Sequence, residues 1–231
     1  MTAENPGNDG AATKPAPLSK YGAAILCGGL SRRMGSDKAF LRLADGRYLL
    51  SVLADELAAL FGRVALITND PAKFLEVDEL SRHRRVGDLY PLIGPAGAIL
   101  TALSVLPNPA VFVMACDMPR IDPSLIRDMA GLMEERSADI VLPRREGRFE
   151  PLFAFYGQNA RDPLEATIEA GRLAIREIFP LVNTVYLDLE PAGKTLLANV
   201  NTPLEARDND LTVSLSRGPS GGRSGGRPGG K

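Results

Sequence analysis

Short aliphatic runs alternate along the chain with longer stretches whose apolar residues recur at helical spacing. Ala23 to Leu26, Val64 to Thr68 and Ala110 to Cys116 are apolar runs of strand length, and Ala138 to Leu142, Leu152 to Tyr156 and Thr184 to Leu187 repeat the type. Between them the pattern predicts a helix over Leu49 to Phe61 closed by Gly62, and another over Gly97 to Leu106 halted by Pro107. A further helix opens at Asp122-Pro123, with Asp as its cap and Pro in the first position, and others fall near Asp162 to Ala170 and Leu173 to Phe179. Apolar strands alternating with helices imply an α/β protein, a Rossmann-like three-layer sandwich whose mostly parallel sheet is covered on both faces. In such sheets a ligand sits beyond the carboxyl ends of the strands, so the chemistry is expected just after them.

The two ends break this pattern. Residues 1–20 are rich in Ala, Pro, Gly, Asn and Thr, and residues 211–231 finish in RGPSGGRSGGRPGGK, so both are expected to be disordered around a single domain over 21–210. The spaced arginines of the tail have no aromatic residues between them to stack on bases, and 27 Lys and Arg balance 28 Asp and Glu for a net charge of -1. Neither nucleic acid nor an anionic membrane is therefore an expected partner. Two cysteines and one histidine can supply neither a disulfide framework nor a four-ligand zinc site, and the first 20 residues lack the apolar stretch of a secretory signal. A reducing, cytoplasmic location is the expectation.

Two segments bring chemistry to the strand ends. After the first strand comes Cys27-Gly28-Gly29-Leu30-Ser31-Arg32-Arg33-Met34-Gly35-Ser36-Asp37-Lys38. Glycines let backbone amides approach a phosphate, and Arg and Lys neutralise it. The spacing fits neither GxGxxG nor GxxxxGK[ST]. The third long strand ends in Met114-Ala115-Cys116-Asp117-Met118-Pro119, where a carboxylate can hold Mg²⁺ together with substrate phosphates. Each segment alone also reads as a turn with solvated charges; their expected convergence makes a nucleotide site.

The run Leu26 to Lys38 resembles the signature of the molybdenum cofactor guanylyltransferases, the MobA-like branch of the small nucleotidyltransferases. Gly94-Pro95-Ala96-Gly97 after Asp88, Cys116-Asp117-Met118-Pro119, the strand Arg148 to Tyr156 (RFEPLFAFY) and Asn199-Val200-Asn201-Thr202-Pro203 continue the likeness in order. It departs at Cys27, where the family usually has Ala, and in a GP segment with one bulky residue fewer. The resemblance implies a nucleotidyltransferase-type fold and transfer of GMP from GTP to the terminal phosphate of molybdenum-molybdopterin, with Mg²⁺ required and pyrophosphate released. It also points to molybdoenzymes or their chaperones as receivers of the product.

By the same resemblance Leu26, Cys27 and Gly28 line the base and ribose and Lys38 meets the phosphates, while the amides of Gly28 and Gly29, the cations Arg33 and Lys38 and a metal on Asp117 are parts suited to the phosphate chemistry. Asn69, or its neighbour Thr68, stands at the corresponding turn after the second strand, and Asp88 helps to fix the guanine side, while Asp88 also reads as a turn residue before Pro91. An acceptor phosphate with a second pKa of about 6 needs no general base. This suits a chain whose single histidine, His83, lies in the basic run Arg82 to Arg85 and is expected on a solvated face. Cys27 and Cys116 are expected as small buried fillers, with oxidative inactivation as the sharper alternative. Rival functions are a cytidylyltransferase for the same cofactor, a sugar-phosphate nucleotidyltransferase, and a non-catalytic nucleotide-binding protein.

Overall fold

The computed structural model describes residues 18–28, 37–75, 77–190 and 211–212. In chain order the elements are β1 (Gly22–Leu26), β2 (Arg42–Leu43), α1 (Leu49–Phe61), β3 (Val64–Thr68), α2 (Asp78–Ser81), β4 (Arg85–Gly87), α3 (Pro95–Val105) and β5 (Ala110–Ala115). There follow α4 (Pro123–Glu135), β6 (Ile140–Arg145), β7 (Arg148–Phe149), β8 (Phe153–Gly157), α5 (Arg161–Glu169), β9 (Thr184–Asp188) and β10 (Leu211–Thr212). The main sheet runs in the order β4-β3-β1-β5-β8-β6-β7, with β9 also paired to β6.

Successive residues of the central strands point to opposite faces, which gives three layers. Ile25, Phe112 and Met114 pack with Leu53 and Leu57 of α1 and Met129 of α4, whereas Leu26, Val111 and Val113 pack with Ile99 and Leu103 of α3 and Leu164 of α5. Phe112 anchors the first layer, edge-on to Phe153 at 4.9 Å and stacked on Phe61 at 5.6 Å between ring centroids.

β4, β3, β1 and β5 are mutually parallel, each joined to the next by a helical crossover or a longer connection. β8 runs antiparallel to both β5 and β6. The cause is local: no helix separates β6 from β8, and a tight return through Glu146 and Gly147, at φ 49° and 77°, reverses the chain.

The helix limits follow from caps. Gly62 closes α1 with φ 75° and its N–H on the Ala58 carbonyl, and Asp122 opens α4 by accepting from the N–H groups of Ser124 and Leu125 at 2.8 and 3.2 Å. α3 starts at Pro95, two residues before the expected Gly97, because proline is pre-set for a first helical position. The helix expected over Leu173 to Phe179 is instead two short 3₁₀ turns, Ile175–Glu177 and Phe179–Leu181. Ala174 is extended, with ψ 123°, so no helix starts at Leu173, and Pro180 has no N–H with which to continue one.

At the margins, Leu18 N–H already bonds the Leu60 carbonyl at 2.7 Å, so the packed chain reaches into the expected lead. Leu211 and Thr212, within the expected tail, pair antiparallel with β2. Among the described residues no helix is long and apolar enough to cross a membrane.

Candidate nucleotide and metal site

Because β4, β3, β1 and β5 are parallel neighbours, their carboxyl ends form one rim. Asp88, Asn69, Gly28 and Asp117 follow those ends in that spatial order. Strands about 4.8 Å apart make this rim roughly 14 Å wide, enough for an extended nucleotide.

At one end of the rim the two predicted segments meet. Asp37 caps a single 3₁₀ turn, Lys38–Phe40, by accepting from Ala39 N–H at 3.0 Å. From that turn Lys38 Nζ donates to Asp117 Oδ2 at 2.7 Å, with the two side chains 20 % and 13 % exposed. The other oxygen, Asp117 Oδ1, is buried without a hydrogen-bond partner among the described residues. A carboxylate with one oxygen on an ammonium group and the other uncommitted suits a hard cation and phosphate together.

Lys73 was given no role by the sequence. It lies in a 3₁₀ turn (Pro71–Phe74) after β3, and its Nζ donates to the Cys27 carbonyl at 3.1 Å and to Asp37 Oδ2 at 2.7 Å. It thereby ties the exit of β1 to the residue that caps the Lys38 turn. Its only sequence signal is a cation four positions beyond Asn69, too common a feature to single out.

The remaining candidates separate. Gly28 is exposed, and a Cβ there would stand 3.5 Å from Asn69 Nδ2, so the two share one spot on the rim. Leu26 and Cys27 bury their side chains; the Leu26 carbonyl accepts from Cys116 N–H at 3.2 Å, and Cys27 N–H bonds the Ile67 carbonyl at 2.7 Å. Asp88 Oδ1 accepts from Tyr90 N–H at 3.0 Å and from the Thr101 hydroxyl at 2.7 Å, which fastens the loop before α3 to that helix. Gly97 lets the loop lie close, since a Cβ would come within 2.7 Å of the Tyr90 carbonyl oxygen. Gly29, Arg33 and the Asn199 to Pro203 motif lie outside the described residues.

Cys27 and Cys116 are both buried on the same face of neighbouring strands. Burial, reinforced by the Cys116 thiol beside it, pushes the Cys27 thiol well above the usual cysteine range. It is held as a neutral filler, far from the reactive thiolate that oxidation requires. His83 is not on a solvated face: its side chain is 11 % exposed, beside Ser51 Oγ at 3.4 Å and Asp55 at 3.8 Å. Burial pulls its pKa down. It takes no part in the rim.

Glu150 lies in the RFEPLFAFY segment, and its sequence context gives it no role. Burial, and then the charge of Asp117, raise its carboxyl above the usual glutamate range. A signal was available: β5 and β8 pair antiparallel as far as Met114 opposite Phe153, and Asp117 and Glu150 each lie three residues beyond that pair.

Comparison with known proteins finds likeness over most of the chain. A family model described as the MobA-like NTP transferase domain matches residues 23–182. A molybdenum cofactor guanylyltransferase of Syntrophotalea carbinolica is 33 % identical over 174 residues, covering 75 % of this chain and 80 % of its own. A probable molybdenum cofactor guanylyltransferase of Thermococcus kodakarensis is 32 % identical over 82 % of this chain and 98 % of its own. The crystal structure of molybdopterin-guanine dinucleotide biosynthesis protein A from Archaeoglobus fulgidus superposes with a TM-score of 0.70 at 25 % identity, covering 81 % of this chain and 96 % of that one.

Proposed function

The chain belongs to the MobA-like NTP transferase family, and from that premise we propose that it transfers GMP from GTP to the terminal phosphate of molybdenum-molybdopterin, releasing pyrophosphate. The observation that carries the proposal is the 2.7 Å contact between Lys38 and Asp117 at the mouth of the sheet. It brings a phosphate-binding cation and a metal-binding carboxylate to one point.

Each group has a job in this reaction. Phosphoryl-group transfer depends on alignment and on neutralising charge that spreads over phosphate oxygens. Lys38 is a mobile point charge able to pass from Asp117 to those oxygens. Asp117 would hold Mg²⁺ through its uncommitted Oδ1, which fits a cation that binds through one or two carboxylates plus phosphates. Bound there, Mg²⁺ supplies positive charge to the phosphates of the donor and the leaving pyrophosphate. Among the described residues no group of three or more His, Cys, Asp or Glu stands together to hold a metal.

The acceptor phosphate is largely dianionic near neutrality and attacks without a general base. At the other end of the rim, Gly28 and Asn69 border the nucleoside. The second oxygen of Asp88 can accept from the N–H groups that guanine, unlike cytosine, presents side by side on its pairing edge. By family resemblance Gly29 and Arg33 contribute an amide and a cation to phosphate binding.

The test is product analysis with the molybdenum-bound cofactor, Mg²⁺ and each nucleoside triphosphate in turn. The guanine dinucleotide form should appear with GTP alone. A cytosine dinucleotide product would assign the rival cytidylyl activity, and tight GTP binding without pyrophosphate release would leave only a nucleotide-binding protein.

A further inference from the structure

Glu150 is a half-buried carboxylate carried on a loop whose backbone is fixed at four points. Its N–H bonds the Pro143 carbonyl and its own carbonyl accepts from Phe153 N–H, each at 3.1 Å. The next two carbonyls are held as well, that of Pro151 by the Tyr156 hydroxyl at 2.8 Å and that of Leu152 by Ala115 N–H at 3.0 Å. β5 and β8 pair with Met114 opposite Phe153, and the Ala115 to Leu152 bond carries this alignment one step further. Asp117 and Glu150 each lie two residues beyond this last bond, where both chains turn out of the sheet at the same end of the β5–β8 pair.

So many bonds on so short a loop fix the backbone that carries the carboxylate. Among the described residues no hydrogen bond or ion pair engages it. The local charge is therefore uneven: Lys38 neutralises one carboxylate, Asp117, while a second stands near enough to feel its charge. Placing two half-buried carboxylates together is unfavourable unless a cation joins them.

We propose that Glu150 is a second carboxylate of this site, sharing with Asp117 the divalent cation that accompanies the nucleotide. This rests on the reading of Asp117 given above. It gives the cation two protein oxygens, one from each side of the β5–β8 pair, and leaves its other positions to phosphate and water.

The test uses the full chain with saturating GTP and no acceptor, and Mn²⁺ as the probe, its free concentration followed by electron paramagnetic resonance. Glu150→Gln, which keeps the shape and removes the charge, should weaken Mn²⁺ binding roughly ten- to hundredfold. GTP affinity without metal should stay within about twofold of wild type. Glu150→Asp, charged but one methylene shorter, should fall between the two. Wild-type Mn²⁺ affinity in Glu150→Gln, with the fold verified by its thermal transition, would overturn the role of Glu150 and leave Asp117 standing. Failure of the wild-type protein itself to bind Mn²⁺ with GTP would overturn both.

Discussion

Removing the cation from the Lys38–Asp117 pair should cost the folded protein stability even with no ligand present. The two side chains are 20 % and 13 % exposed. That places the pair between surface ion pairs, worth about 0–1 kcal/mol, and sealed ones, whose disruption costs about 3–5 kcal/mol. Lys38→Met keeps the aliphatic stem and leaves Asp117 with two unpartnered oxygens near Glu150, so we expect a loss of about 2 kcal/mol. Asp117→Asn, which keeps the volume, removes the charge that Lys38 pairs with. Combining the two should cost about 1–2 kcal/mol less than the sum of the singles, because neither variant has a partner left to lose. Urea denaturation of wild type, both singles and the double measures this, and each kcal/mol should also appear as about 2–4 °C in Tm for a chain of this size. Losses additive to within about 0.5 kcal/mol would show that the two side chains do not interact in solution.

Gly97→Ala and Gly131→Ala are the same exchange within helices and should have opposite signs. At Gly97 the new methyl group meets the Tyr90 carbonyl oxygen at 2.7 Å, and overpacking of about 1–3 kcal/mol outweighs the gain in helix propensity; at Gly131 nothing lies within 4 Å, so the variant should gain up to about 1 kcal/mol. Urea midpoints that shift the same way in both would contradict this. His83 has its pKa lowered by burial, so the unfolded chain binds the proton first as pH falls through about 6.5, and stability declines from there downward. His83→Gln should flatten that decline between pH 7.5 and 5.5; an unchanged slope would refute the assignment. Both thiols should resist aromatic disulfide reagents in the native protein and react once it is unfolded in urea, and rapid native reaction would show that Cys27 or Cys116 opens to solvent.

The fold was legible where one signal sufficed. Gly62 and the Asp122-Pro123 pair marked their helix ends because each has a specific backbone job, end of α1 and start of α4. β4 was not legible: Arg85, Val86 and Gly87 contain a single apolar side chain, and an edge strand needs no more. The reversal of β8 turned on a hairpin only a few residues long, which an alternation of strands and helices does not reveal. The same division holds at the site. Asp117 and Lys38 could be named from their neighbours in sequence, whereas Lys73 and Glu150 reach the rim through pairings between distant segments. His83 looked solvated because its neighbours are charged, yet the ring turns against Ser51 of α1.

The central claim is that Lys38 and Asp117 grip one triphosphate, and calorimetric titration of GTP with Mg²⁺ into wild type, Lys38→Met and Asp117→Ala tests it most directly. Each substitution should weaken binding by at least about tenfold, and Asp117→Ala should also abolish the Mg²⁺ dependence of what remains. Wild-type affinity with intact Mg²⁺ dependence in both variants would contradict the account.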